Sequence, residues 1–142
     1  MEKVVGGGTA QQQAWRLMLG LFFEQRGRML AVAQEFGLAP QQAFALMSLE
    51  PGTPIKLSDL ATKLRCDNSN VTGIADRLEV AGLAERQAHP TDRRVKTLVL
   101  TERGGTVRGL YQERLSHTPA AIEGLSDADA TALVEILQRA TQ

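Results

Sequence analysis

Apolar positions recur along this chain at two different spacings, and the change between them divides it into elements. From about Ala10 to Phe36, Trp15, Met18, Leu19, Phe22, Phe23, Met29, Leu30, Val32, Ala33 and Phe36 return every three or four residues. That spacing predicts one long helix whose apolar surface is wider than a single stripe, so it must bury more than one side. Gly37 stops it, and Pro40 suits the first position of a second helix reaching about Leu49, with Ala43, Phe44, Leu46 and Met47 expected inward. The cluster Glu50-Pro51-Gly52-Thr53-Pro54 reads as a turn.

The stretch Leu57–Thr101 carries the most information. Leu57, Leu60, Ala61 and Leu64 share one face of a short helix, Arg65-Cys66-Asp67-Asn68 breaks it, and Asp67 is a good N-cap for a helix to about Ala81. In that helix Val71, Ile74, Ala75 and Leu78 form the apolar stripe. The remaining face holds Asn68, Ser69, Asn70, Thr72, Gly73, Asp76 and Arg77, short and hydrogen-bonding side chains suited to reading base edges in a DNA major groove. Gly82 supplies the stop. Beyond it the period shortens to two: Leu83–Gln87 and Val95–Leu100 read as a two-stranded hairpin, the second strand burying one face and showing the other. Its tip, His89-Pro90-Thr91-Asp92-Arg93-Arg94, carries two adjacent arginines that could reach a minor groove. Thr101 caps a further helix to about Ser116, weakened by Gly104, Gly105 and Gly109, and Ser126 with Asp129 opens a last helix bearing Leu133, Val134, Ile136, Leu137 and Ala140.

Length and composition narrow the picture further. The 142 residues make one domain's worth of chain, and 43% hydrophobic content is that of a globular protein. No apolar run is long enough to span a bilayer and no signal peptide is visible, so a cytoplasmic location is expected. Met1–Thr9, with Gly6-Gly7-Gly8, reads as a flexible lead; the triplet lacks the flanking pattern of a phosphate loop. One cysteine, Cys66, can form no internal disulfide, and two histidines, His89 and His117, cannot build a histidine-rich metal site. No cofactor, metal or catalytic motif is expected, and an enzyme is disfavoured. The net charge of zero runs against the basic balance usual for nucleic-acid binders. Its distribution softens the objection, because Arg86, Arg93, Arg94, Lys96, Arg103 and Arg108 cluster around the hairpin while the acidic excess follows Gly109.

Four segments, Val71–Glu79, Gly82–Arg86, Pro90–Arg94 and Leu98–Gly104, together closely resemble the multiple-antibiotic-resistance (MarR) family of winged helix-turn-helix regulators. The resemblance implies a mainly α fold with a small β-hairpin wing. Residues 38–101 would be the DNA-binding unit, and residues 10–37 and 102–142 the dimerisation helices of a homodimer on near-palindromic double-stranded DNA. It also implies that one of Arg93 and Arg94 enters the minor groove while Asp92 orients the tip. Lys56 departs from the family's usual capping Ser or Thr, and nearby Ser58 could still bond a free backbone N–H or a phosphate. Arg77 has two readings, a phosphate contact or a brace to Asp92 or Glu79. Where the family often has a longer side chain, Gly73 offers none. Control by a small, often phenolic, ligand is implied too; Trp15, Leu19, Phe22, Met47 and Tyr111 are its candidate lining and equally candidates for plain core. A dimeric repressor is the expectation. A winged-helix protein–protein module without DNA binding, or a redox-responsive regulator using Cys66, is the alternative.

Overall fold

The computed structural model describes residues 8–142, so most of the glycine-rich lead lies outside the described residues. At its end Thr9 closes a reciprocal cap with Gln12 on the first helix. The elements in order are α1 (Ala10–Glu35), α2 (Pro40–Ser48), β1 (Ile55–Lys56), α3 (Leu57–Leu64), α4 (Asn68–Val80), β2 (Ala84–Ala88), β3 (Lys96–Leu100), α5 (Glu102–Leu115), α6 (Ala120–Glu123) and α7 (Asp127–Ala140). Two short elements escaped the sequence reading, β1 and α6. At two and four residues they are too short to show a period.

The sheet has three antiparallel strands rather than two, in the order β1-β3-β2, with Ile55 opposite Leu98 and Arg86 opposite the same residue on the other side. β3 is therefore the central strand. This corrects the expectation that it would show one face: Thr97, Leu98, Val99 and Leu100 are all buried. Thr97 pays no penalty, since its hydroxyl donates to the Gln87 carbonyl at 3.0 Å.

The core gathers Leu46 from α2 and Leu49 just past its end, Leu60 from α3, Val71, Ile74 and Leu78 from α4, and Leu98 from β3. Phe44 is not part of it; the side chain is 59% exposed and Ala45 takes the inward place. Several contacts join α1 to α5, among them an ion pair of Glu35 with Arg114 at 2.6 Å. Arg28 donates to the Arg114 and His117 carbonyls at the end of α5 (3.3 and 3.1 Å), while Tyr111, buried, meets Phe36 edge to face with ring centres 6.0 Å apart. Burial raises the Tyr111 phenol above its ordinary value.

The corner between wing and α5 explains a glycine that the helix pattern reads only as weakening. Thr101 donates its hydroxyl to the Gly82 carbonyl (2.6 Å) and accepts the Gly104 N–H (2.9 Å). Its own N–H reaches the Leu83 carbonyl at 3.1 Å. A Cβ on Gly104 would lie 1.8 Å from that Leu83 oxygen, so the first turn of α5 can pass this close only without a side chain.

α7 and the first half of α1 contribute nothing buried to this core. Only Val32 and Ala33 of α1 are buried, and no residue of α7 is. Trp15, Leu17, Met18, Leu21, Phe22 and Phe23 on α1, with Val134, Ile136 and Leu137 on α7, leave large apolar side chains exposed.

Candidate nucleic-acid interface

The first turn of α4 is held by one carboxylate. Asp67 accepts the Asn70 N–H at 2.8 Å and the Ser69 hydroxyl at 2.9 Å. Those bonds, the Asn70 backbone first and Ser69 second, keep the Asp67 carboxyl below its ordinary value. Val71, Ile74, Ala75 and Leu78 face the core, so at 3.6 residues per turn the opposite side falls to Ser69, Gly73 and Asp76 with Asn68, Asn70, Thr72 and Arg77 flanking them. Asn68, Ser69, Asn70, Thr72 and Arg77 are exposed and Gly73 half-buried. A Cβ added at Gly73 would meet nothing within 4 Å, so the fold itself does not require this glycine.

The hairpin carries the second group of cations. Its tip closes through main chain: His89 N–H to the Val95 carbonyl (3.1 Å) and Val95 N–H to the Asp92 carbonyl (3.0 Å). The Asp92 side chain accepts the Arg94 backbone N–H at 3.0 Å. Orientation of the tip thus works through the backbone, and among the described residues Asp92 makes no ion pair with either guanidinium. Arg93 and Arg94 are both exposed at the end of the ribbon.

Arg86, which the sequence places only among the cations near the hairpin, locks helix and wing together. Arg86 on β2 reaches Asp76 at 2.7 Å, pairs with Glu79, and donates to the Thr72 carbonyl at 3.2 Å. The Arg86 N–H also donates to Glu79, at 2.8 Å. Burial alone would lower the Arg86 guanidinium, but the bonds to Asp76 and then Glu79 outweigh it and hold it above its ordinary value. The brace expected of Arg77 is therefore made by Arg86, and Arg77 stays exposed. The signal was present: Asp76 and Glu79 are three apart on one helix edge, facing an arginine just past the glycine turn.

Ser58 is exposed beside the α3 start; its backbone carbonyl accepts the Thr62 hydroxyl at 3.1 Å, and Lys56 gives no side-chain cap. Of the five ligand candidates the structure brings together two. Met47 and Tyr111 line an open-sided apolar cavity of about 240 Å³, with Met29, Ala33, Phe44 and Leu115 among its other walls. Trp15, Leu19 and Phe22 lie outside that cavity, on the first half of α1; Trp15 and Phe22 are 59% and 57% exposed. Cys66 is half-buried against the core, beside Lys63 and Arg65 in a shallow cleft.

A family model described as MarR family matches residues 38–96. YfiV, an HTH-type transcriptional regulator of Bacillus subtilis, is 36% identical over 107 residues, covering 72% of this chain and 66% of that one. MdtR, an HTH-type transcriptional repressor of the same organism, is 38% identical over 84 residues, covering 59% of this chain and 54% of its own. The chain thus spans less than two thirds of the length of either curated relative. The crystal structure of AbsC, a MarR family transcriptional regulator from Streptomyces coelicolor, superposes with a TM-score of 0.69 at 27% identity over 96% of each chain.

Proposed function

The chain belongs to the MarR family of winged helix-turn-helix transcriptional regulators, and from that premise we propose that it is a dimeric, sequence-specific repressor of transcription rather than an enzyme. The observation carrying this reading is the placement of two exposed groups on one braced unit. The polar face of α4 and the arginine-tipped wing are tied together by Arg86, so they approach a duplex as one surface. The wing and nearby helix ends position the protein on phosphates, and the residues from Asn68 to Arg77 specify sequence. Ser58, at the start of α3, adds a phosphate contact.

The dimer is supported by the large apolar side chains that α1 and α7 leave exposed among the described residues. Each large apolar side chain removed from water contributes about 1.5–3 kcal/mol, so a second copy burying Trp15, Phe22, Phe23 and Ile136 gains more than this small chain could forgo. Residues 10–37 and 102–142 form the dimerisation helices and residues 38–101 the DNA-binding unit. Two copies present their α4 helices to major grooves about one helical turn apart on a near-palindromic site. A small apolar effector, aromatic or phenolic, enters the cavity lined by Met47 and Tyr111 and releases the operator by favouring a dimer spacing that misaligns the two helices. Trp15, Leu19 and Phe22 serve the dimer in this account. Among the described residues no helix is long and apolar enough to cross a membrane, which suits a cytoplasmic regulator.

Mobility shift with the DNA upstream of its own coding sequence, paired with sedimentation of the free protein, tests the proposal. Retardation by a dimer supports it. A monomer, or a dimer that retards no duplex, leaves the protein–protein module that the zero net charge favours.

A further inference from the structure

The recognition face has an unusual chemistry once its internal bonds are subtracted. Asp67 caps the helix and Asp76 pairs with Arg86, and as carboxylates both can only accept. The Ser69 hydroxyl hydrogen goes to Asp67 and the Thr72 hydroxyl hydrogen to the Asn68 carbonyl at 2.8 Å, leaving those two oxygens as acceptors only. The first cation of α4 is Arg77, in its last turns. Among the described residues, the groups left on the first turns with both a donor and an acceptor free are the side-chain amides of Asn68 and Asn70, both exposed.

In the major groove the base code follows from this inventory. Guanine offers two acceptors, N7 and O6, and is read by the paired donors of arginine or lysine. Adenine offers one acceptor and one donor, N7 and the N6 amino group, which match a carboxamide edge to edge. A helix whose N-terminal residues reach the bases and carry amides but no cation is built for the second pattern.

Resting on the proposed DNA-binding function, we propose that Asn68 and Asn70 are the specificity-determining residues of α4 and that they select adenine at fixed positions in each half-site. Ser69 and Thr72, as acceptors, can meet the amino groups of neighbouring bases. With no side chain on Gly73 to hold the helix off, the amides reach the base edges directly.

Selection of bound duplexes from a random pool, with the wild-type protein and with Asn68→Ala, Asn70→Ala and Asn70→Gln, tests this. The wild type is expected to enrich adenine at fixed half-site positions. Each alanine variant is expected to level the preference at one of them and to bind the wild-type site about 5- to 150-fold more weakly. Asn70→Gln, which keeps the amide, is expected to retain part of the preference, and every variant to keep the wild-type melting temperature and salt dependence. Guanine at the positions the variants disturb, or a consensus untouched by both alanine variants, overturns the assignment while leaving DNA binding intact. A wild type that binds the pool but enriches no sequence does the same, whereas one that binds no DNA removes the proposed function together with it.

Discussion

Replacing Arg86 with alanine removes the side chain that ties wing to recognition helix through Asp76, Glu79 and the Thr72 carbonyl, and its effect can be worked from those contacts. The Asp76 carboxylate is 60% exposed, so that pair is screened and contributes about 0–1 kcal/mol. Glu79 is 33% exposed and shares its carboxylate between the Arg86 guanidinium and backbone N–H, a charge-assisted arrangement contributing about 1.5–3 kcal/mol. The bond to the Thr72 carbonyl is partly replaced by water. The expected loss is about 2–3 kcal/mol, which for a chain of this size lowers the melting temperature by about 6–12 °C. Operator affinity should fall further than stability alone explains at temperatures where the protein remains folded, because the wing no longer holds a fixed angle to α4. Arg86→Lys, which keeps the charge but not the planar fork, should fall between. In double-mutant cycles the coupling of Arg86 to Glu79 should exceed its coupling to Asp76. Calorimetry and fluorescence anisotropy read these quantities. An Arg86→Ala protein that melts within about 2 °C of the parent and binds the same duplex equally well refutes the brace.

Gly104→Ala should unfold or severely destabilise the protein, since its methyl would lie 1.8 Å from a backbone oxygen that neither α5 nor β2 can easily yield; a soluble variant with an unchanged denaturation midpoint contradicts this. Gly73→Ala should do the opposite to the fold, raising stability by up to about 1 kcal/mol because alanine is the better helix former and the space is open, while weakening operator binding by standing the helix off the DNA. Paired melting and binding curves would expose a variant in which both change in the same direction. Asp67 is held below its ordinary value of 3.8 in the folded chain, so its contribution to α4 is present above that value and is lost as the pH falls through the lower, folded one. The stability difference between wild type and Asp67→Ala should therefore shrink in an acid titration below pH 3.8; a difference that stays constant there counts against the cap.

The helical elements were legible because each carries its own punctuation. Asp67, Thr101 and Ser126 cap where the sequence pattern places them, and Gly37 and Gly82 adopt the positive φ that ends a helix. What the pattern missed depends on partners distant in sequence. β1 exists because Ile55 and Lys56 meet Leu98 and Thr97, and β3 loses its two-faced character because helices distant in sequence, α3 and α5 among them, pack against it. Gly104 looked like a helix weakness because its reason is a carbonyl twenty-one residues away, at Leu83. For the candidate interface, periodicity was enough to separate the buried stripe of α4 from its polar face. The sequence suggested Arg77 as a possible brace, and the role fell to Arg86 once β2 lay against the helix edge that carries Asp76 and Glu79. The Met47 and Tyr111 cavity likewise needs α1, α2 and α5 assembled, whereas Trp15 and Phe22 sit on a surface that is incomplete in one chain.

The account stands on α4 and the wing acting as a single DNA-binding surface, and the salt dependence of operator affinity measures that most directly. Wild type and an Arg93→Ala/Arg94→Ala double variant would be titrated on the same duplex from low to moderate salt. Each lost cation–DNA contact reduces the slope of log affinity against log salt by about 0.9, so one contact per subunit lowers it by about 2 across a dimer. A flattened slope with weaker binding and an intact dimer is the expected result; an unchanged slope at unchanged affinity contradicts it.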